Sequence, residues 1–211
     1  MSISVSEAQK MIDELKNHEI SLGRNPKTWY TYNNHVYGVA EIARKIATKI
    51  STMNPNTIYV MALLHDICRT EDVRLKRFHG LLGYEKLISL DENVARACLL
   101  HTFPWNNLPP YNQCGGLFFY QKKDYQFVAD FLKKNPPKQE DYLIQLCDAL
   151  ANRNGFVTIE ERAEEIRQRH IKQNIPGFMD VSTTNKLKQH FDQKIGCDIY
   201  DLFKQIPLQT T

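Results

Sequence analysis

The stretch Met61-Ala62-Leu63-Leu64-His65-Asp66-Ile67-Cys68-Arg69 constrains the fold more than any other part of this 211-residue chain. It carries an apolar helical run straight into a histidine and an aspartate set side by side. A carboxylate next to an imidazole in apolar surroundings loses hydration, and a charged partner or a metal ion offsets that loss. Neighbours on a helix point about 100° apart, so the two side chains do not face each other but can converge on one or two ions held beside the helix. The remaining ligands must come from elsewhere in the chain.

The rest of the sequence reads as helices. Ser4 with Glu7 three residues on is a capping-box signature that opens a first helix through about His18, with Ala8, Met11, Ile12 and Leu15 on one side. Asn25-Pro26 and Asn54-Pro55 each place a capping side chain before a proline at the first helical turn. The first of these starts a helix to about Ile50 whose buried stripe includes His35, Val39, Ile46 and Ile50. The second starts the helix that carries His65 and Asp66. Further helices are expected over about 79–89, 92–101, 124–134, 140–153, 158–173 and 183–195, with a short one near 198–205. Between residues 102 and 116, three prolines, two glycines, Trp105 and Tyr111 make the longest irregular stretch, of the kind that often serves as a lid or substrate wall. No series of alternating β-branched strands is present, so the expected fold class is all-α. With 42% apolar side chains the chain can bury one substantial core. Residues 1–24 are expected to pack as an N-terminal helix on a core of 25–155, and 156–211 to extend the same domain.

Composition excludes several functions. The formal net charge of +3 is spread along the chain, giving no clear nucleic-acid-binding surface. There is no apolar run long enough to span a membrane, and Met1–Glu7 lacks the basic and apolar zones of a secretory signal. The five cysteines are odd in number, widely spaced and without a CxxC pair, so reduced thiols and a cytoplasmic location are expected.

His35, His65, His79 and His101, with Asp66 and Asp148, each lie on or beside an apolar helical face in five separate segments. Mixed imidazole and carboxylate donors suit first-row transition metals. A calcium site would be almost all oxygen, and a structural zinc site would use more thiolate. Iron, manganese, zinc or cobalt is therefore the expected ion.

Three stretches carry a family likeness: Asn34-His35-Val36-Tyr37-Gly38-Val39-Ala40, Leu63-Leu64-His65-Asp66-Ile67 and Leu146-Cys147-Asp148-Ala149. In order and spacing they resemble the HD superfamily of metal-dependent phosphohydrolases over roughly residues 25–155. That resemblance implies an all-α core in which His35, His65, Asp66 and Asp148 ligate metal. His79 and His101 occupy the places of the two extra histidines found in dinuclear members, similar to the HD-type symmetrical dinucleoside-tetraphosphate hydrolases. It thus implies two divalent ions, with Asp66 bridging, His35, His65 and Asp148 on one and His79 and His101 on the other.

The expected reaction is hydrolysis of a phosphate ester or anhydride in a nucleotide or other small phosphorylated metabolite, with Asp66 the central catalytic residue. Arg69, Arg74, Lys76 and Arg77 follow the doublet and are candidates to hold outer phosphates, as is Arg153, while Trp105 or Tyr111 can stack on a base. A dinuclear-iron HD oxygenase uses a similar ligand set, and a non-enzymatic nucleotide-binding sensor is a third reading. The helix at 159–169 is rich in acidic-to-basic pairs, the pattern of an exposed face. Leu187, Phe191, Ile195, Ile199, Tyr200, Leu202 and Phe203 form an apolar stripe that either covers the metal domain or meets another subunit as a homo-oligomer.

Overall fold

The computed structural model describes residues 2–114, 119–173 and 179–203. Helices make up the architecture: α1 (Val5–Ser21), α2 (Pro26–Ala47), α3 (Pro55–Leu64), α4 (Asp72–Leu75), α5 (His79–Leu87), α6 (Glu92–Leu100), α7 (Tyr111–Cys114), α8 (Lys122–Lys134), α9 (Gln139–Ala149), α10 (Ile159–Gln173) and α11 (Val181–Ile195), with 3-10 turns at Pro104–Asn106 and Ile199–Leu202. The fold is all-α. Among the described residues the strands are a minimal antiparallel hairpin, β1 (Ala151–Asn152) and β2 (Gly155–Phe156), pairing Ala151 with Phe156 and Asn152 with Gly155. No helix is long and apolar enough to cross a membrane among these residues.

Local chemistry sets the helix starts. Ser4 and Glu7 close the expected capping box on α1. Asn25 accepts from the Lys27 amide before Pro26, and Asn54 accepts from the Asn56 and Thr57 amides at 2.9 and 3.2 Å before Pro55. Asp91 does the same for α6, accepting from Asn93 and Val94. These bonds satisfy amides that the first helical turn leaves without partners.

Two ends differ from expectation. Helix α3 stops at Leu64, and His65 and Asp66 sit in the turn beyond it. There the chain tightens into three-residue bonds, Ile67 N–H to Leu64 O at 3.1 Å and Arg69 N–H to Asp66 O at 2.8 Å, the geometry of a 3-10 turn. Helix α9 stops at Ala149 rather than near 153, because Asn152-Arg153-Asn154-Gly155 turns the chain into the hairpin. Gly155 takes φ +111°, and the Asn154 amide donates to Asn152 Oδ1 at 2.7 Å. Asn-Gly is a strong turn signal that helical periodicity on either side had masked.

Helices α1, α2, α3, α6, α9 and α11 share one buried core, to which Ile12, Val39, Leu63, Leu146, Leu187 and Phe191 contribute fully buried side chains. A second cluster, with Phe78, Leu99, Phe103, Phe119 and Val128 at its centre, joins α5 and α6 to α8. Of the C-terminal apolar stripe, Leu187, Phe191, Ile199 and Phe203 are buried in this chain's own core, while Ile195, Tyr200 and Leu202 pack partly buried on it. The stripe therefore covers the domain. Cys68, Cys98, Cys114 and Cys147 are buried free thiols and Cys197 is an exposed one.

Candidate metal centre

Packing delivers six side chains to one place. His35 lies on α2, the His65–Asp66 doublet follows α3, His79 is the first residue of α5, His101 follows the last turn of α6, and Asp148 stands near the end of α9. Helix α5 meets α6 through glycines: a Cβ on Gly80 would come within 2.6 Å of the Cys98 carbonyl, and one on Gly83 within 2.8 Å of Cys98 Cβ. That close approach sets His79 beside His101. Gln145, one turn before Asp148, donates to the Leu100 carbonyl at 3.1 Å and to Asn106 Oδ1 at 2.6 Å, tying α9 to the end of α6. At the same end of α9, Asn34 Nδ2 donates to the Arg153 carbonyl at 3.2 Å, drawing the hairpin onto α2 next to His35. The Tyr32 hydroxyl donates to the Asp66 carbonyl at 3.3 Å and steadies the turn that holds the doublet.

The two oxygens of Asp66 face different histidines. Oδ2 lies 3.9 Å from His65 Nε2, whereas Oδ1 lies 3.2 Å from His79 Nε2 and 3.3 Å from His101 Nε2, and those two ring nitrogens are 3.2 Å apart. On the other side, Asp148 Oδ1 stands 3.0 Å from His35 Nε2 and 3.8 Å from His65 Nε2. Two donors about 2.1 Å from one ion and 90–110° apart at it are separated by about 3.0–3.4 Å, which is the spacing of the Asp66–His79–His101 triangle and of the His35–Asp148 edge. The donor atoms of His35, His65 and Asp148, and again those of His65, Asp66 and His101, all fall within 4.8 Å of one another. His65 thus adjoins both groups.

Two polar atoms at the middle of the centre are not satisfied by the protein. His65 Nε2 and Asp66 Oδ1 are buried without a hydrogen-bond partner, so the contacts of Oδ1 with the two rings are electrostatic. Buried groups of this kind ordinarily find partners, and a cation facing both supplies one. His65 Nδ1 sits 2.6 Å from the Ala62 carbonyl and His101 Nδ1 2.8 Å from that of Cys98. A carbonyl has no proton to give, so each Nδ1–H donates and each Nε2 carries the lone pair; that of His65 is unpartnered, and that of His101 is approached by the Thr102 hydroxyl at 3.1 Å. Burial pushes the His65 pKa below its ordinary value against the pull of Asp66 and Asp148, favouring the neutral, ligating ring. Burial also acts to raise the two aspartates, but contacts with His101 and His79 outweigh it at Asp66, and the bond from His35 outweighs it at Asp148, holding both carboxyls well below the usual range. Both carboxylates are therefore ionised and available to a cation.

A family comparison now decides the lineage: the HD domain model matches residues 32–153, more than half of the chain. The chain belongs to the HD domain family. HD domains bind divalent metals and are generally metal-dependent phosphohydrolases, and the imidazole and carboxylate donors gathered here fit such an ion. No curated protein and no solved structure matches the chain.

Around this HD centre, the side chains expected to hold substrate divide. Arg69 is at the site: its Nη1 lies 2.9 Å from His79 Nδ1 and 3.2 Å from Asp72 Oδ2, with half the side chain accessible. Arg77 is already engaged: Glu85 grips both its terminal nitrogens at 2.8 Å and Asp124 adds a contact at 3.4 Å. Arg74 pairs with Glu71 at 3.2 Å. Lys76 is exposed, in the left-handed region at φ +47°. Trp105 packs edge-on against Tyr142 and His190, ring centres 4.6 and 5.3 Å away, and Tyr111 packs on Tyr125, so both anchor their loop. Arg153 is exposed in the hairpin turn beside α2. Two residues were missed by sequence reasoning. Asp72 lies 3.5 Å from His79 Nδ1. Arg169 of α10 pairs with Glu165 at 3.8 Å with 45% of its side chain accessible, and partial burial, with repulsion from Arg162 and Arg69, lowers its pKa against the pull of Glu165 and Asp148. Helix α10 had read as a solvated face because its i,i+3 and i,i+4 pairs dominate the local pattern; Arg162 and Glu165 do form one, at 2.6 Å.

Proposed function

We propose that this HD domain protein is a dinuclear metal-dependent phosphohydrolase that cleaves a phosphate ester or anhydride of a nucleotide or other small phosphorylated metabolite. One observation carries the dinuclear reading: the two oxygens of a single carboxylate, Asp66, address two histidine groups. On this reading His35, His65 and Asp148 would hold one ion and His79 and His101 the other, with Asp66 shared between them. When bound, such ions supply Lewis acidity to phosphate oxygens and lower the pKa of water toward neutrality. The chain does the rest. The Ala62 and Cys98 carbonyls fix the rings of His65 and His101. Burial of His65, His79 and His101 keeps bulk water from one side. The Asp148 side chain, 26% accessible, marks the open side, and Arg69, with Arg153 and Arg169, would offer cations to the anionic groups of a substrate. The same ordered histidines support a likeness to the dinucleoside-tetraphosphate hydrolases, whose substrates carry several charges for such a rim to bind.

The test is a screen. Metal-free protein reconstituted with manganese, iron, zinc or cobalt is offered nucleotides, dinucleoside polyphosphates and sugar phosphates, and phosphate release is measured. Metal-dependent release that Asp66→Ala abolishes is the expected result. Oxygen uptake by the iron form with a small organic substrate, with every phosphate compound left intact, would overturn the hydrolase reading in favour of an oxygenase.

A further inference from the structure

His79 is held at present in a way that conflicts with ligating an ion. Its Nδ1 lies 2.9 Å from Arg69 Nη1. A guanidinium has protons to give and no lone pair to offer, so Nδ1 accepts and the ring proton sits on Nε2, the nitrogen that faces Asp66 Oδ1 at 3.2 Å. A histidine that gives Nε2 to a metal carries its proton on Nδ1 and needs an acceptor there. His65 and His101 have such acceptors in backbone carbonyls. For His79 the nearby acceptor is Asp72, whose Oδ2 is 3.5 Å from Nδ1 and 3.2 Å from the same Arg69 nitrogen. The Arg69 contact and a metal on His79 therefore exclude each other, while the Asp72 contact and the metal favour each other.

We propose that Asp72 is the positioning residue that makes His79 a ligand, and that loading this site passes the Nδ1 contact from Arg69 to Asp72, freeing the guanidinium to take an anionic oxygen of the substrate. The placement fits. Arg69 is 52% accessible, so its released guanidinium presents a cation that a substrate oxyanion would neutralise. The ring changes tautomer without changing charge. This inference rests on reading His79 as a metal ligand, and it would bind the second metal, the Arg69 side chain and the substrate anion into one linked equilibrium.

Zinc, being diamagnetic, is the probe. Long-range proton–nitrogen correlation spectra of the imidazoles should place the His79 proton on Nε2 without zinc and on Nδ1 with it. In calorimetric zinc titrations, Asp72→Ala should weaken one of two sites by about 10- to 100-fold and Asp72→Glu should restore most of the loss. Arg69→Met, at an accessible position, should tighten the same site by about 3- to 10-fold, the worth of one competing hydrogen bond. It should also weaken inorganic phosphate binding to the zinc-loaded protein. An unchanged His79 tautomer, or wild-type zinc affinity at both sites in Asp72→Ala, overturns the proposal. Should Asp72→Ala fail to fold, Arg69→Met decides alone: unchanged or weaker zinc binding there is equally fatal. None of these measurements reads turnover, so a protein that hydrolyses nothing yet shows the tautomer exchange would refute the hydrolase and leave this inference intact.

Discussion

His65 and His101 use one device twice: each follows the last turn of its helix and donates Nδ1–H to a carbonyl three residues back, at 2.6 Å to Ala62 and 2.8 Å to Cys98. Helix-end carbonyls lack intrahelical partners, so the bond satisfies the backbone and aims Nε2 at Asp66 in one stroke. Periodicity put both histidines on apolar faces, but it could not show that they stand just past their helices. Asp66 is where a single change should matter most. Asp66→Ala is expected to bring the bound-metal content, measured by elemental analysis, close to zero and to abolish turnover with it, since the carboxylate adjoins both histidine groups. The titration of the site has a definite sign. With the folded-state pKa of His65 depressed, the unfolded chain takes up a proton below about pH 6.5 that the folded chain resists, so stability falls as pH drops through that value. Asp66 and Asp148, also depressed, act in the same direction further down: their contribution is present above about pH 4 and is lost as they protonate. Melting temperatures of the metal-free protein should therefore decline steadily from pH 7 to pH 4. A flat profile across pH 6.5 would contradict the account of His65.

Helix pairs bring these residues together, and two contacts do much of the bringing. Gly80 and Gly83 let α5 close on α6, and at Gly80 a larger residue would meet both backbone, the Cys98 carbonyl at 2.6 Å, and the buried Phe78 ring at 2.6 Å. Gly80→Ala gains about 1 kcal/mol of helix propensity but overpacks the contact by about 1–3 kcal/mol. The expected net result is lower stability in urea together with weaker metal binding at the His79 group. At the other end of the same framework, the buried Arg96 on α6 pairs with Asp141 on α9 at 2.5 Å and donates to the Pro136 carbonyl at 3.1 Å. Removing one partner strands a buried charge, so Asp141→Ala should cost about 3–5 kcal/mol in chemical denaturation. Helix starts were legible residue by residue, because Ser4, Asn25, Asn54 and Asp91 act within three residues of themselves. The end of α9 was not, since the hairpin that ends it is held from α2, where Asn34 donates to the Arg153 carbonyl at 3.2 Å from over a hundred residues earlier.

At the scale of the molecule, α11 and the 3-10 turn after it belong to the core that carries the metal centre. Phe191 is fully buried in that core, so Phe191→Ala should cost about 3–5 kcal/mol in one cooperative transition, with metal binding lost at the same denaturant concentration. A second, separate transition would show that the C-terminal helices fold on their own. The sequence by itself determined that the chain is helical, where most helices begin, and which histidines and aspartates stand on apolar faces, because caps and periodicity are properties of neighbours along the chain. Only the tertiary structure decided that Asp66 turns one oxygen to each histidine group, that Glu85 and Asp124 engage Arg77, that Trp105 anchors a loop, and that Asp72 stands beside His79. Those are distances between separate segments, and they depend on how closely helices approach, which a single glycine or a buried ion pair can change by more than the length of a metal–ligand bond.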